Sequence, residues 1–175
     1  MSMSSQLIPL EKALAFILAE TQENTAVIEV PLPEALGYVL AKSQKAAIDV
    51  PEFNNSAMDG YALNTSDLGK SGSSLPVSQT IAAGHPGTAL KPGTAARIFT
   101  GAPVPEGADA VVIQENTRAE EGAVSVMEIP AAGANIRLMG HDVAKGSEIL
   151  QAGQRLRPQD LGLLAALGIS SVTVK

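Results

Sequence analysis

Apolar residues recur with two different periods along this chain, and the period changes twice. Near the start, Leu10, Leu14, Ile17 and Leu18 fall at i, i+4, i+7 and i+8, the spacing of one face of an amphipathic helix. Pro9 suits its first turn, where a missing N–H costs nothing, and the polar run from Thr21 to Thr25 ends it. Val27–Val30 then predicts a short strand, Pro33–Gly37 a single helical turn closed by glycine, and Tyr38–Ile48 an extended segment. Beyond Pro51 short apolar runs (Leu75–Val77, Ala95–Phe99, Ala110–Gln114, Val124–Ile129) alternate with turns rich in glycine, proline and asparagine. That texture predicts a β-rich unit ending near Gly140 to Gly146. A regular pattern then returns. Ile149–Leu156 reads as a hairpin, and Pro158 opens a helix with Leu161, Leu164, Ala165 and Leu167 on one face. Gly168 sits where a left-handed C-cap belongs, and Ile169–Val174 is a final strand.

These elements predict a fold that is mainly β with a few helices (α+β). A faint echo links Leu90–Gly93 with Leu150–Gly153, and two similar tight hairpins account for it better than a duplicated domain. The two ends share a texture that the middle lacks. The expected organisation is therefore one discontinuous domain from residues 1–45 and 146–175, interrupted by an inserted β-rich domain over 46–145.

Composition narrows the picture. Apolar residues are 45 % of the 175, enough to bury a core, but only 3 Phe and 2 Tyr are aromatic, so that core must be aliphatic. A formal net charge of −6 argues against a general nucleic-acid binder, which needs a basic surface to displace phosphate counterions. A small anionic ligand stays compatible, since a few arginines or a bound cation reverse the local sign. The absence of cysteine excludes disulfides, thiolate metal sites and cysteine nucleophiles. No apolar run of about 18 residues could span a membrane, and Met1–Leu10 lacks the regions of a secretory signal. The expectation is a cytoplasmic protein.

The familiar catalytic patterns GxxxxGK[ST], HExxH and GxSxG are missing. His85 and His141 have no metal-type partner at helical spacing and read as ordinary histidines. Three stretches remain. In Pro51–Ala62, Asp59-Gly60 is a turn signal, read either as a hairpin tip or as a carboxylate held rigidly, with Asn55 and Ser56 as nearby donors. In Arg97–Val112 a buried strand enters a Thr100-Gly101 loop stiffened by Pro103 and Pro105, suited either to presenting N–H groups and a hydroxyl to an oxyanion or to a plain connection. In Gly133–Val143 an arginine and a carboxylate flank Gly140, as a functional pair or a solvated surface ion pair.

Taken together, these stretches resemble the molybdopterin molybdenumtransferase family (MoeA in bacteria, and the C-terminal domain of gephyrin). The resemblance rests on Asn55–Ala62, then Thr100–Pro105 with Ala108–Val112, then Asn135–Arg137 with Gly140 and Asp142, in that order. Pro33–Gly37 and Leu163–Gly168 also match its flanks. It covers essentially the whole chain. The resemblance implies an enzyme of molybdenum cofactor biosynthesis that inserts molybdate into adenylated molybdopterin, releasing AMP, with Mg²⁺ or a similar divalent ion. It implies a homodimer, with molybdopterin adenylyltransferase and molybdoenzymes as further partners. The discontinuous domain would be an elongated linker and dimerisation domain. The inserted β-rich domain would face the pterin-binding α/β domain of the other subunit across the active-site cleft.

By the same resemblance, Asp59, Thr100 and Asp142 are the catalytic candidates, while Ser56, Gly101 and Arg137 are the substrate-binding candidates; no metal ligand is assigned. The sequence ends at Lys175, short of the family's pterin-binding domain, so this piece is expected to have no turnover alone. Two other readings stay open: a non-catalytic dimerisation and scaffolding module using the first helix, and a small oxyanion-binding module.

Overall fold

The computed structural model describes residues 8–21, 26–69 and 73–175. The first half of the chain gives α1 (Leu10–Glu20), β1 (Ile28–Pro31), β2 (Gln44–Lys45), β3 (Asn55–Ser56), β4 (Gly60–Leu63) and β5 (Ser73–Ile81). Then follow β6 (Ala95–Ile98), β7 (Ala110–Ile113), β8 (Thr117–Glu120), β9 (Ala123–Val126), β10 (Ile136–Arg137), β11 (Glu148–Leu150), α2 (Pro158–Ala166) and β12 (Ser171–Val174). Among the described residues the fold is mostly β with two α-helices, as the patterning predicts. The chain divides into two compact units, one of Met1–Ser43 with Leu150–Lys175 and one of Gln44–Ile149.

In the first unit β1 pairs antiparallel with β12, Val30 facing Val172. Leu40, Leu156, Leu164, Leu167 and Val174 form its interior. The end of α2 shows why Gly168 is glycine: its φ is +76°, while the Ile169 N–H returns to the Leu164 carbonyl and the Gly168 N–H to that of Ala165. Those two bonds satisfy carbonyls the helix would otherwise leave open. Ala165, expected on the buried face, is exposed, and Asp160 is buried in its stead, where its carboxylate accepts from the Arg157 backbone and guanidinium. The hairpin expected over Ile149–Leu156 is not formed. The turn exists, with Gln154 N–H on the Gln151 carbonyl, but β11 pairs with β2 and the far arm bonds to Tyr38–Leu40. Helix α1 runs where the i, i+4, i+7 pattern put it, and Thr21 closes it by donating its hydroxyl to the Leu18 carbonyl at 2.7 Å. None of its described residues is buried.

The second unit is built on a six-stranded sheet in the order β7-β4-β6-β5-β9-β8. Its one parallel pair is β5 with β6; the others are antiparallel. The first half of β5 pairs with β9 and its second half with β6, with a register shift between Val77 and Gln79. Two apolar clusters result. Tyr61, Leu63, Leu75, Val112 and Val124 lie in one, and Ala62, Ile81, Ile98, Val111 and Ala102 in the other. β4 feeds both because successive side chains point to opposite faces, so all four of its residues are buried.

Candidate functional site

The stretches centred on Asp59, Thr100 and Asp142 meet on β3. On one side of β3 the Ser56 N–H donates to the Ala102 carbonyl (3.0 Å), the Gly101 N–H to the Ser56 carbonyl (2.8 Å) and the Val104 N–H to the Asn54 carbonyl (2.9 Å). On the other side β10 pairs with it, Arg137 opposite Asn55 and Ile136 opposite Ser56. Asn54 adds a side-chain link, its Oδ1 accepting from the Met139 N–H at 2.8 Å. Strand pairing thus places the Thr100–Pro105 loop and the Arg137–Asp142 loop on opposite sides of one short strand.

Asp59 stands just before β4. It is not a hairpin tip: β3 pairs with β10 and β4 with β6 and β7, so the strands on either side of Asp59 do not pair with each other. Gly60 is needed for a different reason from the positive φ expected of a turn glycine. A Cβ there would lie 1.9 Å from the Val112 carbonyl oxygen, so only glycine lets β4 approach β7 this closely. One carboxylate oxygen of Asp59, Oδ1, accepts from both the Thr100 N–H (2.8 Å) and the Thr100 hydroxyl (2.7 Å). Its carboxyl is held below the usual range first by that N–H, then by the hydroxyl; partial desolvation opposes the shift, and the Arg97 charge adds to it. Among the described residues Oδ2 has no hydrogen-bond partner.

Asp142 is held by charge. One oxygen pairs with the Arg137 guanidinium and the other lies 3.0 Å from His141 Nδ1. Its pKa falls to about 2, chiefly through the Arg137 hydrogen bond and then the one from His141, and the same contact raises the Arg137 pKa. All three side chains are solvent-accessible.

Ser56 and Gly101 are differently placed from the rest. Ser56 is 1 % exposed, and its hydroxyl donates to the Met58 carbonyl at 2.5 Å, closing the bend that leads to Asp59. Gly101 adopts φ +79° and its N–H is spent on Ser56. The N–H groups of the Thr100-Gly101 loop therefore point at protein acceptors, and the site presents carboxylate and hydroxyl oxygens more than free donors. Such a donor set suits a cation or a cation-bridged anion. No group of three or more His, Asp or Glu side chains arranged to hold a metal ion occurs among the described residues. A divalent ion would find one or two carboxylates here, which fits Mg²⁺ when phosphate oxygens and water complete its sphere.

Two participants escaped the sequence reading. His141 was legible only as an isolated histidine. Arg97 donates to the Gly60 carbonyl and to Gln114 Oε1, both at 2.9 Å, with its guanidinium over the Tyr61 and Phe99 rings. An arginine inside the apolar run Ala95–Phe99 was the available signal.

The family model for the MoeA N-terminal region (domain I and II) matches residues 8–168. The chain belongs to the MoeA family. It is similar to the molybdopterin molybdenumtransferase of Haemophilus influenzae, with 48 % identity over 127 residues covering 71 % of this chain and 31 % of that protein. It is also similar to that of Synechococcus elongatus, with 38 % identity covering 93 % of this chain and 42 % of that protein. A crystal structure of a molybdopterin biosynthesis MoeA protein from Pyrococcus horikoshii superimposes with a TM-score of 0.88 at 37 % identity, covering 97 % of this chain and 46 % of that one. The chain thus spans less than half the length of these MoeA relatives. Among the described residues no helix is long and apolar enough to cross a membrane.

Proposed function

We propose that this chain supplies one wall of the active site of a molybdopterin molybdenumtransferase, which inserts molybdate into adenylated molybdopterin and releases AMP in molybdenum cofactor biosynthesis. The observation that carries the reading is the Asp59–Thr100 pair: a carboxylate fixed by two donors on one oxygen, with the other oxygen unpartnered among the described residues. Molybdate and an adenylate phosphate are both anions, so bringing them together needs positive charge between or beside them. A Mg²⁺ ion when bound would offset that charge and polarise the phosphoryl group. Asp59 Oδ2 would hold such an ion, Thr100 would keep the carboxylate aimed, and Arg137 would exchange Asp142 for a substrate anion. Ser56 and Gly101 contribute by shaping the backbone under these groups.

Met58, Phe99, Leu138 and Met139 are exposed apolar side chains within the same stretches. Such a rim around polar groups suits a face that another domain covers, here the pterin-binding domain of a partner subunit. The apolar residues Leu10, Leu14, Ile17 and Leu18 of α1 are exposed as well, which favours a homodimer. An oxyanion-binding module has less support, because the loop donors it would use are already bonded within the protein. A scaffold alone has no need for a pre-aimed carboxylate with one oxygen left over among the described residues.

The test is molybdenum insertion and AMP release by a full-length protein carrying this sequence, with and without Mg²⁺, against its Asp59→Asn variant. Asp59→Asn should lower the rate at least about a hundredfold while the protein melts as the parent does. A normal rate would remove Asp59 from the site. The isolated 175-residue chain should show no turnover, and a measurable rate from it would overturn the one-wall reading.

A further inference from the structure

Arg97 touches the backbone just after Asp59 and the side chain of the residue that bonds the Asp59 carbonyl. One arm of its guanidinium donates to the carbonyl of Gly60, the residue after Asp59, at 2.9 Å. The other donates at 2.9 Å to the side chain of Gln114, whose own backbone N–H donates to the Asp59 carbonyl at 3.0 Å. Its Cζ lies 5.1 Å from the Tyr61 ring centre and 4.7 Å from that of Phe99, the residue before Thr100. Register explains the Tyr61 contact, since Arg97 on β6 is directly opposite Tyr61 on β4. The start of β4, the end of β6 and the end of β7 are therefore joined through one side chain. Those are the three places from which Asp59 is held.

A planar, two-armed, stackable cation is what this geometry uses, and lysine offers only a point charge on a flexible stem. A purely electrostatic role would require none of the directional contacts. We infer that Arg97 is a positioning residue, which locks Gly60 and Gln114 around Asp59 and so keeps the Asp59 carboxylate on Thr100. This rests on the reading of Asp59 as a site carboxylate, and its test can fail separately from that reading.

The experiment is amide hydrogen exchange by NMR on the 175-residue chain, comparing the parent with Arg97→Lys and Gln114→Ala. The Thr100 N–H reports the bond to the Asp59 carboxylate, the Gln114 N–H reports the bond to its carbonyl, and Val112 on β7 reports the sheet as a whole. Arg97→Lys should speed exchange at Thr100 and Gln114 about tenfold, the loss of roughly one hydrogen bond's worth of protection, and leave Val112 unchanged. Parent-like protection at Thr100 and Gln114 in Arg97→Lys would overturn the inference, because charge alone would then suffice. If Arg97→Lys does not fold, Gln114→Ala decides: faster exchange at the Thr100 N–H with Val112 unchanged supports the clamp, and no change contradicts it. In the full-length enzyme Arg97→Lys should then lower kcat more than it alters KM. A local loss of protection with turnover intact would keep Arg97 as a clamp and fail the reading of Asp59.

Discussion

Two aspartate–threonine pairs sit at opposite ends of β4, and they use their oxygens differently. At the far end Asp109 accepts the Thr65 N–H on Oδ1 and the Thr65 hydroxyl on Oδ2, both at 2.7 Å. At the near end Asp59 accepts the same two groups of Thr100 on Oδ1 alone. The residue types and donors are the same. Asp109 has spent both oxygens on the fold, tying the turn after β4 to the start of β7, while Asp59 has kept one. An Asp–Thr contact therefore does not by itself mark a site; these two pairs differ in whether an oxygen is left over among the described residues.

The largest expected effect comes from the residue that seats the Asp59 end. Gly60→Ala would drive a methyl into the Val112 carbonyl, backbone that cannot swing aside, and should cost about 3 kcal/mol by chemical denaturation. An unchanged midpoint would show that β4 and β7 separate easily. Next comes Asp109→Ala, which should cost about 2 kcal/mol by stranding the Thr65 donors, whereas Asp59→Ala should shift the melt far less. Equal losses in the two variants would erase the distinction between structural and reserved carboxylates.

Much of this was legible in the sequence and some was not, for physical reasons. The 3.6-residue spacing of Leu10 to Leu18 and the Pro158 and Gly168 signals report local backbone preferences, and α1 and α2 lie where they point. The apolar runs of β6 and β7 were plain because both their faces are buried. β3 and β10 are two residues each, too short for any period, and they are what brings the three stretches together. Asp59-Gly60 carried a turn signature although its glycine serves close strand packing, a non-local fact. That the Gly101 N–H is consumed by Ser56 depends on pairing across more than forty positions of sequence, which no local motif encodes.

Smaller effects separate the two site carboxylates. Asp142 titrates at about 2, below the roughly 3.9 of an unfolded aspartate. Its contacts therefore stabilise the fold above about pH 4, and that contribution is lost as pH falls toward 2. Arg137→Met should raise the Asp142 value toward the ordinary one in a carbon-detected NMR titration. Salt near 1 M, where the Debye length is about 3 Å, should act in the same direction. Asp59, held first by a neutral N–H and hydroxyl, should respond to that salt much less; an equal response would mean charge holds both. The smallest change expected is His141→Gln, since Arg137 is the stronger cause of the Asp142 shift.

The contrast between the two ends of β4 is tested most directly with a paramagnetic divalent ion. Mn²⁺ titrated into the 175-residue chain should broaden the Asp59 and Thr100 amide signals at concentrations that leave Asp109 and Thr65 sharp, because of these two carboxylates Asp59 is the one with an oxygen unpartnered among the described residues. Equal broadening at both pairs, or broadening first at Thr65, would contradict the claim that Asp59 is held ready for a ligand.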